Sequence, residues 1–244
     1  MTQFSYRDVS IRYEESGNPE GFPLLLLAPG ALNSTVEAWS LAPINPLVSY
    51  TEDFRLIAMD QRNAGASRGP FAIDDPWGSF VGDQLRLLDH LGIDRFFALG
   101  CCIGCSYALK IAQEAPERLV AAVLEQPIGL DDNAELWLRG RTNWANALLE
   151  KRSDLNAEDA EAFGVAMWER SDFVFSVTRD FVRACTLPMA VLPGVDQAHP
   201  HSTGIEVAEL APAAELIDPW RDDEKVVNAA TAQVLEFLRK HVPA

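Results

Sequence analysis

Three cysteines crowd into five residues, at Cys101, Cys102 and Cys105, and two of them lie within the run Gly100-Cys101-Cys102-Ile103-Gly104. A nucleophile with a glycine two places away on either side suits a sharp turn from strand to helix. Such a turn strains the central residue, and the glycines keep the neighbouring backbone from colliding. The central side chain then projects beyond the strand end and sits at a helix N-terminus, whose unpaired N–H groups favour an anion. A thiol in that place is expected to hold more thiolate than an ordinary cysteine. Cys102 is therefore the candidate nucleophile, and the N–H of Ile103 would point at an oxyanion formed on a substrate. Two blander readings compete: a small apolar residue filling a tight turn, and redox or metal use of Cys102-Ile103-Gly104-Cys105. No second C-x-x-C or Cys/His pair completes a zinc site, so neither a metal nor a cofactor is expected. Cys105 reads as packed, Cys101 as turned into the sheet or the wall above it, and Cys185 has no motif around it.

The elements that must position this turn are legible as short apolar runs alternating with helical patterns. Phe4 to Val9 and Val9 to Glu15 read as two antiparallel strands around Asp8. Pro23–Ala28, Phe54–Met59, Arg95–Leu99, Leu119–Leu124, Pro188–Leu192 and Ala214–Ile217 read as buried strands. Trp77–Leu91, Ile103–Ala115 and Asp222–His241 read as helices, the first stopped by Gly92 and the second by Pro116. Continuous apolar strands, each followed by a helix, predict a mostly parallel twisted sheet of about eight strands covered by helices on both faces. Residues 131–184 break the rhythm. They are helical and rich in tryptophan, and they read as a small helical cap inserted within a single domain spanning 1–244. Two ordinary crossover helices are the alternative.

With the turn placed in that βα series, the sequence resembles the α/β-hydrolase superfamily over nearly its whole length. Leu26-Leu27-Ala28-Pro29-Gly30 resembles the strand and loop that supply the second oxyanion donor, which the resemblance puts at the N–H of Ala31. Asp60-Gln61-Arg62-Asn63-Ala64-Gly65-Ala66-Ser67 is similar to the D-x-R-G-x-G-x-S turn of haloperoxidase-like and esterase-like members, with Asn63 where glycine is usual. The cysteine at the centre of the turn resembles that of dienelactone hydrolase, a match confined to the turn. The resemblance further implies an acid after a late strand, and Asp196 in Met189-Ala190-Val191-Leu192-Pro193-Gly194-Val195-Asp196 fits it. A turn-forming, helix-capping Asp196 is the alternative, and Glu125 is a second candidate acid.

The base departs from the family pattern. The family histidine follows the last strand, where this chain reads Asp218-Pro219-Trp220-Arg221. Only His90, His199, His201 and His241 are present. His90 falls at a helix end facing solvent, and His241 suits the last turn of the C-terminal helix. His199 and His201 follow the candidate acid on the sheet edge where the nucleophile points. His199, three residues from Asp196, is the expected base. His201 or no histidine at all are the alternatives.

Trp137 and Trp144 are seven apart and share a helix face, which either packs as core or roofs a substrate pocket. Arg221 could hold a substrate carboxylate through its two-pronged guanidinium, or pair with Asp222, Asp223 or Glu224. The 244 residues carry 20 Lys plus Arg against 36 Asp plus Glu, a net charge of −16. That balance argues against a nucleic-acid or anionic-membrane partner. Apolar runs are too short to span a bilayer, no secretory leader is visible in MTQFSYRDVS, and a cytoplasmic location is expected. A small molecule is the expected partner, with a homodimer left open. The activity expected from all this is cysteine-dependent hydrolysis of a small ester, lactone or thioester. The absent family histidine keeps open an isomerase or lyase on the same fold, or a non-catalytic ligand-binding sensor.

Overall fold

The computed structural model describes residues 2–169 and 173–243. Eight strands form one sheet in the order β1-β2-β4-β3-β5-β6-β7-β8. They are β1 (Thr2–Tyr6), β2 (Val9–Gly17), β3 (Phe22–Leu27), β4 (Phe54–Met59), β5 (Phe96–Cys101), β6 (Leu119–Glu125), β7 (Met189–Leu192) and β8 (Ala214–Leu216). β1 pairs antiparallel with β2, and β2 with β4; every other pairing is parallel. Sequence reading thus found the strands and the class. Its first hairpin turns at Arg7 and Asp8, where Arg7 takes φ 47°.

The parallel core strands β3, β5 and β6 are buried on both faces almost throughout. This explains why they are written as unbroken apolar runs rather than as alternating ones. The chain leaves β3 toward β4 on one side and returns to β5 on the other. The carboxyl ends of β3 and β5 therefore flank the crevice where open α/β sheets place their ligands.

Helices α1 (Pro46–Ser49), α2 (Pro76–His90), α3 (Ile103–Glu114), α4 (Ala134–Leu149), α5 (Ala157–Trp168), α6 (Arg179–Ala184), α7 (His201–Leu210) and α8 (Glu224–Lys240) complete the chain. α2 begins with Pro76 and is capped by Asp75, whose side chain accepts the Gly78 N–H; this is the chemistry of a strong helix start. α8 is capped the same way by Asp223 onto Val226 and ends on Arg239 and Lys240, which suit its negative pole. α3 has no side-chain cap, so the amides of its first turn are left facing the residue before it, Cys102. In the interval 131–184, of which 170–172 lie outside the described residues, α4 and α5 pack on each other while α6 packs on α7. No helix among the described residues is long and apolar enough to cross a membrane.

One buried ion pair braces the loop after β4. The Arg62 guanidinium donates to both oxygens of Asp83 at 2.8 and 2.6 Å, to the Pro70 carbonyl and to the Tyr6 hydroxyl. Asp83 is fully buried. Removing one partner of such a pair strands the other charge without solvent. We expect Asp83→Ala to lower the unfolding free energy by about 3–5 kcal/mol in urea titrations; a loss below about 1 kcal/mol would mean Arg62 finds water or another partner.

Candidate active site

The turn between β5 and α3 is as tight as its sequence demands. Cys102 sits there at φ 60°, ψ −120°, a conformation that non-glycine residues rarely tolerate. A Cβ on Gly100 would lie 2.2 Å from the Gly104 carbonyl oxygen, and one on Gly104 would lie 1.9 Å from that of Leu27. Both glycines are therefore required by close backbone approach. The Cys102 N–H donates to the Glu125 carbonyl at 3.0 Å, which fixes the turn to the end of β6 and aims its side chain past the sheet edge.

His199 and Asp196 arrive from the loop after β7. Asp196 Oδ1 accepts the Ala198 N–H at 2.9 Å and the His199 N–H at 3.0 Å, and lies 2.8 Å from His199 Nδ1. Acid and imidazole are thus locked together within one four-residue turn. The bond at Nδ1 leaves Nε2 for Cys102. Thiol and ring lie close enough for each to shift the other's protonation, although Nε2 makes no well-directed hydrogen bond to any described residue. Such looseness is common where a base meets its nucleophile before substrate binds. Gly194 permits the arrangement, because a Cβ there would stand 2.0 Å from the His199 carbonyl oxygen.

The electrostatics separate the three neighbouring thiols. Burial alone would push the Cys102 thiol up, but the His199 ring and the amides of Gly30 and Ile103 outweigh it and hold the thiol below its ordinary value. Burial likewise opposes charge on His199, yet the Cys102 sulfur and Asp196 raise its pKa. Asp196, against its partial burial, is held down by His199 and the turn amides. Together these shifts favour a thiolate–imidazolium pair oriented by a carboxylate. Cys101 and Cys105 are driven well up, first by burial and then by charges around them. The Cys105 thiol instead donates to the Gly100 and Glu125 carbonyls, each at 3.2 Å.

On the β3 side a second amide acts on the sulfur besides that of Ile103. This amide is that of Gly30, one residue before Ala31. The chain passes Gly30 at φ 121°, and Ala31 lines the neighbouring cavity. That cavity, about 480 Å³, is also lined by Leu32, Trp137, Trp144, Trp168 and Ala198. Trp137 and Trp144 thus stand at its wall. Ala31 and Ala198 adjoin Gly30 and His199, and Cys102 keeps 9% of its surface accessible.

His201 is not brought to the thiol: its Nε2 pairs with Asp218 at 2.9 Å. At the usual histidine position, Trp220 is buried with its indole N–H on the Pro193 carbonyl at 2.6 Å, supporting the acid–base loop from below. Arg221 stacks on Trp220 and donates to Gln126, whose amide in turn reaches Cys101 at 3.5 Å. Its guanidinium thus meets Gln126 rather than the three acidic residues that follow it. Among the described residues no three His, Cys, Asp or Glu side chains gather as metal ligands. Sequence reading placed Gly30 and Gly194 within the loop motifs but gave neither a role of its own. The signal available was a Pro-Gly pair just past each strand end, Pro29-Gly30 after β3 and Pro193-Gly194 after β7.

Beneath the turn, Glu125 is fully enclosed. Burial raises its pKa from 4.5 to about 8, relieved only in part by the Ile44 amide and Arg221. The folded protein therefore holds a proton that the unfolded chain releases above about pH 4.5, and stability on this account falls from there to about pH 8. Glu125→Gln keeps the acceptor for Ile44 and removes the titration. The melting temperature of the variant should gain steadily on wild type between about pH 5 and pH 8; a constant difference would show that Glu125 ionises freely.

Residues 23–188 match the family model described as alpha/beta hydrolase fold. The proline iminopeptidase of Neisseria meningitidis serogroup A is 34% identical over 132 residues, covering 52% of this chain and 40% of that protein. The rhodomycin D methylesterase of Streptomyces peucetius is 30% identical over 134 residues, covering 53% and 43%. The chain thus aligns with less than half the length of these curated relatives. The crystal structure of the enol-lactonase from Burkholderia xenovorans superposes with a TM-score of 0.71 at 19% identity, over 98% of this chain and 100% of that one.

Proposed function

The chain belongs to the alpha/beta hydrolase fold family, and from that premise we propose that it is a cysteine-dependent hydrolase of small esters, lactones or thioesters. The observation that carries this reading is the line Asp196–His199–Cys102, with the thiol pKa held below its ordinary value at a strained strand-to-helix turn. The Cys102 thiolate attacks the acyl carbon, and the carbonyl oxygen takes negative charge against the amides of Gly30 and Ile103. His199, as imidazolium, protonates the departing oxygen or sulfur. It then takes a proton from water, which attacks the thioester and releases the acid and the Cys102 thiolate. Asp196 keeps the ring oriented and balances its charge.

Nucleophile type narrows the substrate. A tetrahedral intermediate formed on sulfur collapses by expelling its better leaving group. A thiolate of lowered pKa leaves readily, so alcohol, enol and thiol leaving groups compete with it more easily than an amine, which must be protonated before it departs. Esters, lactones and thioesters are therefore favoured over peptide bonds. An esterase or lactonase role agrees with the names of the methylesterase and enol-lactonase relatives. Helices α4 and α5 would act as the cap, and the tryptophan-lined cavity would receive the apolar part of the acyl group. No histidine follows β8, and His199, arriving from the loop after β7 with its ring on Asp196, supports the hydrolytic reading. Four free thiols suit a reducing, cytoplasmic setting.

The test is acid quench of the protein turning over nitrophenyl esters, lactones and acyl thioesters, followed by mass spectrometry of the Cys102 peptide. An acyl adduct that decays in water is expected, and in His199→Ala it should persist, with turnover down roughly 10²–10⁴-fold. Wild-type turnover by Cys102→Ala on every accepted substrate would overturn the assignment.

A further inference from the structure

Asn133 is the residue immediately before α4, where an asparagine ordinarily caps its helix. Its side chain makes no cap bond. It is 98% buried, at 2% exposure, and every bond it makes is to backbone. Its Nδ2 donates to the Gly129 carbonyl at 2.9 Å and to the Gln197 carbonyl at 2.7 Å, while Oδ1 accepts the Asp131 N–H at 3.1 Å. Two donors and one acceptor fix which way the amide faces, since a flipped amide would set its oxygen against two carbonyl oxygens.

Gln197 lies between Asp196 and His199, and its carbonyl belongs to the apex of the acid–base turn. The Asp196 side chain ties the turn internally, but its backbone closure is long: Asp196 N–H to His199 O measures 3.3 Å and His199 N–H to Asp196 O measures 3.2 Å. Both are at or beyond the long end for amide hydrogen bonds. Gln197 is itself exposed, so no packing of its side chain holds the apex. A rotation of the Gln197 peptide would swing Ala198 and His199 together. The 2.7 Å bond from Asn133 opposes that rotation, and it comes from the base of the helix that carries Trp137 and Trp144.

We propose that Asn133 is a positioning residue that holds the acid–base turn so that the His199 ring faces Cys102, tying it to the first helix over the cavity. The inference rests on the Cys102–His199 reading above. Among the described residues, the Cys102 thiol and the Asp196 carboxylate are the titrating partners of that ring. Asp131 and Asp218 lie on the same side of the fold, but Ser202 and His201 hold them.

The test follows thiolate at Cys102 by its ultraviolet absorbance against pH, taken as the difference from Cys102→Ser, together with iodoacetamide labelling near pH 7. Asn133→Ala removes the bond. Asn133→Asp keeps the shape and the Oδ1 acceptor while losing both donors, and so serves where the alanine variant does not fold. Either variant should move the thiolate titration upward by about one pH unit and slow labelling of Cys102 roughly tenfold. Turnover should fall with KM little changed. Asn156→Ala is the matched control, because Asn156 truly caps α5 through the Glu158 N–H at 2.8 Å. It should lower the melting temperature and leave the thiolate titration in place. If the wild-type difference spectrum contains no low-pKa thiolate, the nucleophile reading itself fails. If wild type contains it and both Asn133 variants keep the same titration and labelling, or Asn156→Ala shifts them equally, the positioning role is overturned.

Discussion

At the end of β5 the backbone runs so close to α3 that neither Gly100 nor Gly104 has room for one more carbon, and Cys102 between them is pressed into a left-handed conformation. The strain there is local, but the parallel strands on either side sustain it. Leu27 of β3 supplies the carbonyl that crowds Gly104, and Glu125 of β6 supplies the carbonyl that holds the Cys102 amide. The bend thus depends on the register of three adjacent strands. It also leaves the first turn of α3 without a capping side chain, which turns a structural deficit into a field of unpaired amides beside the sulfur.

That field is what separates one thiol from its neighbours. Cys101, Cys102 and Cys105 share nearly the same depth, and burial acts on all three in the same direction. Burial weighs heaviest on Cys101 and Cys105, the charges of Glu125 and of neighbouring sulfurs add to it, and the Cys105 thiol faces two carbonyl oxygens. Only Cys102 meets N–H groups from two segments and an imidazole. Position along five residues of chain decides almost nothing; the polarity of what each sulfur faces decides the chemistry. The carboxyl of Glu125 just beneath, kept mostly neutral near pH 7 by its burial, adds little negative charge against the thiolate.

Much of this was legible before any coordinates. Unbroken apolar runs such as Leu24–Leu27 announce strands buried on both faces, and paired glycines announce the bend, because both are one-residue consequences of local sterics. The partnership of Asp196 and His199 was legible too, since a spacing of three lets a carboxylate reach its neighbour without help from the fold. What sequence could not place was direction. Whether Gly30 or Ala31 turns its amide to the sulfur depends on a single peptide plane. Whether Arg221 faces a ligand or Gln126 depends on how the loop after β8 packs. Asn133 carries the commonest of helix-start residues, and nothing in its neighbours reveals that its amide reaches across to another loop.

The acid and the imidazole occupy one turn, three residues apart, rather than two loops at opposite strand ends. In the usual arrangement the last strand must deliver a side chain to within an ångström, which constrains its length and the loop beyond it. Here β8 is three residues long and partly open to solvent, and its following loop contributes a tryptophan strut instead of a reactive group. The outermost rung of the sheet is thereby released from delivering a reactive side chain. Its edge can lengthen, fray or meet another surface without disturbing proton traffic at the sulfur, provided the tryptophan stays beneath the neighbouring loop.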